Sequence, residues 1–181
     1  NIKGLEGASG VSIPVIAVRQ KTTREDQVPE GVKVGELYTK QGDKFGNMLD
    51  FIPIRSTYKR TKFVQGQDKP ECVSDDGITG SKYGKCNGCV FARYEEGQKT
   101  ACSGGWSFQG VLAGFKNAKI YQIDFMKTSA KSGKKLRTLA IPPTLSAIEV
   151  QIYTEKETND RKEDYHVLKV RPTGRKTEGV V

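Results

Sequence analysis

MLDFIPIRSTYKRTKFV, residues 48–64, is the stretch on which the fold turns. Its first part is apolar, and its second part alternates aromatic, hydroxyl and basic side chains. Aromatic and β-branched residues at a period of two suit a pleated strand with one covered face. Pro53 predicts an interruption, because proline cannot donate to a strand ladder. Beyond it, Arg55, Thr57, Lys59, Thr61 and Phe63 fall on one face, and Ser56, Tyr58, Arg60 and Lys62 on the other.

Working outward, residues 12–18, 32–39, 106–113, 119–126 and 136–141 are short apolar runs that read as strands. Residues 147–156 and 165–170 read as a hairpin across the charged loop ETNDRKED, although Thr144 or Ser146 could instead cap a helix over 144–158. Residues 20–31 read as a loop, 127–135 (KTSAKSGKK) as a basic turn, and 1–10 and the tail RPTGRKTEGVV as loose ends. Neither repeats nor heptads occur. Many short strands parted by turns predict a mainly β chain, a barrel or sandwich with a C-terminal β-hairpin, over one domain spanning 1–181.

Only 35% of residues are hydrophobic and 28% are charged, with a formal net charge of +9, so the surface is highly solvated and suits an anionic partner. No run of about 18 apolar residues predicts a membrane span, and no long basic amphipathic helix predicts a membrane-surface role. The start, NIKGLEGASG, has neither an initiator Met nor a basic-then-apolar leader, which predicts a trimmed chain that is not secreted.

Residues 72–102 hold all four cysteines, spaced Cys72-x13-Cys86-x2-Cys89-x12-Cys102, in a segment too poor in apolar residues to order itself. The central KCNGCV is a C-x-x-C knuckle in which two thiolates can face one tetrahedral ion. Cys72 and Cys102 can complete the shell. Four thiolates saturate zinc, so the reading is one structural Zn2+ inside an inserted loop. Lys82, Lys85, Arg93 and Lys99 can offset the thiolate charge, and Val90 and Phe91 can pack over the knuckle. Two disulfides, a redox pair and four unrelated thiols are the alternatives.

Catalytic signatures are missing. His166 is the one histidine, and a lone strand histidine reads as structural. There is no phosphate-binding loop, no G-x-S-x-G elbow and no carboxylate dyad; Asp75-Asp76 reads as a turn. The expectation is a protein that is not an enzyme, with no catalytic residues.

Single-stranded nucleic acid requires cations along its phosphates and rings against its bases. Three segments offer both or one of these: Arg55, Tyr58, Lys59, Arg60 and Lys62; then Trp106 and Phe108 just past the last cysteine; then Lys131 and Lys134 in the basic run. The competing reading puts Trp106 and Phe108 in the core.

A basic β region, then C-x-S-x-D-G-x-x-G (72–80), C-x-x-C, a fourth cysteine and finally L-x-I-P-P-T (139–144) follow in order. This arrangement, over about 35–145, resembles phage-encoded single-stranded DNA-binding proteins with an OB-fold and a zinc-ribbon-like insertion. The resemblance implies an OB-like barrel and four cysteine zinc ligands. It also implies single-stranded DNA as partner, with replication or recombination proteins, in the host-cell cytoplasm. The basic end differs from the acidic tail that many phage single-strand binders carry, and the hairpin at 147–170 lies outside the resemblance. Two other classes compete. One is a zinc-containing interaction module docking on a polymerase or host factor. The other is a nuclease holding Mg2+ with Asp75, Asp76 or Asp124.

Overall fold

The computed structural model describes residues 12–64, 67, 69–93, 101–114, 119–139 and 148–176. It is mainly β, built on one large curled sheet with a single α-helix among the described residues. In chain order the strands are β1 (Val15–Val18), β2 (Leu37–Thr39), β3 (Lys44–Gly46), β4 (Met48–Lys62), β5 (Cys72–Ser74), β6 (Thr79–Gly80), β7 (Gly84–Lys85), β8 (Cys102–Leu112), β9 (Tyr121–Phe125), β10 (Ile148–Thr158) and β11 (Asp164–Lys176). Helix α1 spans Ala130–Leu139. The sheet runs β11-β10-β4-β8-β9-β1-β2-β3, with β5 added beside the end of β4, while β6 and β7 pair separately.

The stretch quoted first forms the 15-residue β4. Pro53 does not interrupt it. The ladder to β8 shifts register between Pro53 and Arg55, and Ile54 is left bulged and exposed. A bulge is where a strand accommodates proline. The bulge also swaps faces. Phe51 pairs with Leu112 and Tyr58 with Trp106, and those two partners lie six residues apart on β8. Phe51 and Tyr58 therefore share a face, which is the one that carries the core.

That core includes Phe51, Phe108, Phe125, Ile123, Val150 and Ile152, all fully buried, with the Phe108 and Phe125 rings edge to face at 5.8 Å. Burying each such side chain contributes about 1.5–3 kcal/mol. Strands β4, β8 and β9 form a meander, α1 follows, and the β10–β11 hairpin returns to β4 through Val150–Phe51 and Ile152–Leu49 pairings. β1 runs parallel to β9. The free edge of β11 is closed by side chains. Gln20 accepts from the His166 N–H at 2.9 Å and donates to its carbonyl at 2.7 Å, and the Leu168 N–H donates to Ser129 Oγ at 3.0 Å.

Several expected boundaries change. The basic run 127–135 is not a turn but a 3-10 turn (Lys127–Ser129) followed by α1, which also takes residues 136–139 from the expected strand. Gly133 and Leu136 are buried against the sheet, while Lys131, Lys134 and Lys135 remain exposed. Tertiary packing overrides the weak helix propensity of a Ser/Gly-containing run. Residues 32–36 are not strand, because the chain turns at Lys33–Glu36 before β2. The candidate helix over 144–158 is strand from Ile148 onward. The tail RPTGRKTEGVV is not loose as far as Lys176, where it completes β11; its residues 177–181, the loose start 1–10, Lys99 and residues 140–144 of the L-x-I-P-P-T element lie outside the described residues.

Candidate metal centre and nucleic-acid interface

Strand register brings two cysteines to one place. Lys62 at the end of β4 pairs with Cys72 of β5 on one side and Cys102 of β8 on the other. Between them the chain makes the β6–β7 hairpin and then the knuckle. There the Cys86 N–H donates to the Ile78 carbonyl at 2.7 Å and the Cys89 N–H to the Cys86 carbonyl at 3.3 Å. All four cysteines are free thiols, and all four line one small cavity of about 20 Å3. Among the described residues, no three Cys, His, Asp or Glu side chains are arranged as a group that holds a metal ion. The thiols share walls without closing into a ligating set.

Several observations fit thiolates in this cavity. A Cβ built on Gly80 would stand 2.8 Å from Cys72 Sγ and 3.9 Å from Cys86 Sγ, so the missing side chain leaves the space between two sulfurs. Burial raises the Cys72 thiol, but the backbone N–H groups of Lys82, Tyr83 and Ser81 and the Ser81 hydroxyl outweigh it and hold it below the ordinary value. The Cys102 thiol is pushed up by burial, with the Arg60 guanidinium opposing. Arg60 lines the cavity, and its Nε is buried with no hydrogen-bond partner. Four soft sulfur donors of this kind favour zinc over harder cations. Phe91 lines the cavity as expected, whereas Val90 points away and is 67% exposed.

The wall is braced by charge. Lys62, largely buried, pairs with Glu71, which also accepts from Lys82 at 2.6 Å. The hydrogen bonds from Lys62, Lys82 and Tyr83 hold Glu71 down to about 2. The Lys62 ammonium lies 4.3 Å from the Phe91 ring centre.

The expected nucleic-acid residues divide. Arg55 is exposed, and so are Lys131 and Lys134, none of them in an ion pair among the described residues. Lys59 is committed to Asp75 at 3.3 Å and Asp124 at 3.9 Å. Lys62 is committed to Glu71. Phe108 is fully buried in the core, so its ring has no face free for a base. Tyr58 and Trp106 are half-buried, edge to face at 5.3 Å; Arg60 lies 5.5 Å from the Tyr58 ring and Arg137 of α1 lies 5.6 Å from the Trp106 ring. The result is a continuous run Arg137–Trp106–Tyr58–Arg60 that ends at the thiol cavity.

Arg137 escaped sequence reasoning, because its segment read as a strand; a helical period over 130–139 is the signal that places it beside Trp106. The contact of Lys127 with the exposed Phe63 ring, at 4.8 Å, also joins segments far apart in sequence. The carboxylates weighed as Mg2+ ligands have other partners. Asp75 and Asp124 face the Lys59 ammonium. Asp76 Oδ1 accepts from the Ile78 and Thr79 N–H groups and the Ser74 hydroxyl at 2.8–2.9 Å, which holds its carboxyl down.

Comparison with protein-family models, with characterised proteins and with solved structures finds no match for this chain. Among the described residues no helix is long and apolar enough to cross a membrane.

Proposed function

We propose that the chain is a non-catalytic, OB-like single-stranded DNA-binding protein whose inserted segment is stapled by one structural zinc ion on Cys72, Cys86, Cys89 and Cys102. The observation that carries this reading is the cation–aromatic run from Arg137 to Arg60 on the β4–β8 pair, with the exposed cations Arg55, Lys131 and Lys134. A three-strand meander, a helix and a hairpin returning to the first strand is the order that an OB-fold follows, which supports the OB-like part. Cations matched to phosphates and rings matched to bases make binding largely independent of sequence. A role in phage replication or recombination, in the host-cell cytoplasm, belongs to the same proposal and is what the resemblance in the cysteine segment implies.

A fluorescent oligonucleotide titrated at low and high salt tests it. Affinity falls steeply with salt, by counterion release. Trp106→Ala loses about 1–3 kcal/mol of binding. Equal affinity at both salts, or none at either, removes the reading.

A second reading has its own observation. Ile78 and Val90, both on the cysteine segment, are each 67% exposed, which suits a zinc-containing module docking on a polymerase or host factor. Partner recovery that survives nuclease treatment and is lost in Val90→Asp favours it.

A further inference from the structure

Tyr58 is held from several sides. Trp106 meets it edge to face and Arg60 lies over its ring. A Cβ at Gly77, in the turn after β5, would stand 2.8 Å from Tyr58 Cδ1, and one at Gly104 would overlap the Tyr58 hydroxyl. The cysteine segment and the start of β8 therefore close directly on this ring. Arg60 belongs to both regions: its guanidinium packs on Tyr58, and its side chain forms part of the thiol cavity wall, with a buried Nε that donates to nothing. A buried N–H of a guanidinium that makes no hydrogen bond is costly. The four sulfurs line the same cavity wall as Arg60 and can accept from it, as can the oxygen of Ser74, whose hydroxyl donates to Asp76 at 2.9 Å; Lys62 is itself a cation.

We infer that Arg60 is a positioning residue that couples the state of the four-cysteine centre to the Tyr58–Trp106 pair. With the sulfurs held as thiolates by a thiophilic divalent metal, they accept from the Arg60 guanidinium. That fixes its plane on Tyr58 and sets the angle at which Trp106 is presented. With the centre empty, the guanidinium lacks that anchor, and the aromatic pair loses its fixed orientation. Metal occupancy is then a control on the nucleic-acid surface as well as a fold staple. This inference rests on the metal part of the proposed function and does not require the nucleic-acid part.

Trp106 is the one tryptophan of the chain, so its emission reports the pair directly. The experiment titrates Cd2+ into the full metal-free chain. It follows cadmium–thiolate charge-transfer absorption and Trp106 emission together, in wild type, Arg60→Lys and Arg60→Gln. All three chains develop the thiolate band, which also shows that the variants retain the centre. In wild type the emission shifts in step with the band; in both variants that shift is lost. Oligonucleotide affinity, measured with and without the metal, rises by a factor within about 5–150 in wild type and stays unchanged in the variants. An emission shift in Arg60→Gln equal to that of wild type overturns the coupling, as does a wild-type chain whose emission ignores the metal. A wild-type chain with no thiolate band overturns both the coupling and the zinc centre. An Arg60-dependent emission shift in a chain that never binds oligonucleotide supports the coupling and removes the nucleic-acid function alone.

Discussion

Gly80 leaves a space that a methyl group would fill. Its Cβ would press on Cys72 Sγ at 2.8 Å, and a strand residue has little freedom to retreat. Gly80→Ala is therefore expected to displace the sulfur and cut the stabilisation that the proposed zinc would give, with an overpacking cost of about 1–3 kcal/mol. Thermal melts with zinc and with a chelator read this as a smaller gap between the two curves than in wild type; an unchanged gap refutes it. Glu71 acts at the same scale through charge. Its carboxyl is held at about 2 by Lys62, Lys82 and Tyr83, below the ordinary carboxylate range. A depressed carboxylate contributes stability that is complete above its unfolded pKa and drains away as pH falls through the folded one. The loss therefore falls between about pH 4.5 and pH 2, the ordinary and folded values. Glu71→Gln removes that portion of the acid limb. Melting temperatures across the range decide it, and a limb identical to wild type contradicts the role.

At the scale of elements, α1 presents a buried side and an exposed basic side. Leu136 is fully buried beneath it, while Lys131 and Lys134 stay in solvent. Leu136→Ala should cost about 2–5 kcal/mol of stability by denaturant unfolding. Replacing Lys131 and Lys134 by Ala should leave unfolding nearly unchanged and lower the salt slope of oligonucleotide binding by about one for each phosphate no longer neutralised. A double variant with the wild-type slope would remove α1 from the proposed interface. This helix is missed in KTSAKSGKKL, because its lysines and small residues argue for a solvated turn more strongly than the period over 130–139 argues for a helix. What makes it helical is the sheet face beneath Gly133 and Leu136, which local propensity does not encode.

Over the whole molecule, the curled sheet closes on β11 through Gln20 and Ser129 rather than through a neighbouring ladder. Ser129→Ala leaves the Leu168 N–H without its acceptor, at about 1–3 kcal/mol for a buried donor. Hydrogen exchange at Leu168 should quicken far more than at Phe51, in the middle of the sheet. Equal acceleration at both sites would mean that the seam has no separate stability.

Strand content, the C-terminal hairpin and the grouping of four cysteines in one polar segment were readable from the chain alone. Side-chain period and residue spacing are local properties, and they survive without knowing what packs on what. Which face of β4 is covered was not readable. A bulge at Ile54 shifts the parity by one, and that shift turns Tyr58, Arg60 and Lys62 toward Trp106 and the thiol cavity. The pairing of Lys62 with Glu71, of Lys59 with Asp75 and Asp124, and of Arg137 with Trp106 joins elements whose approach depends on the register of the whole sheet. A period of two names the members of each face. Only packing in three dimensions decides which face meets the core, which cations find partners and which remain exposed.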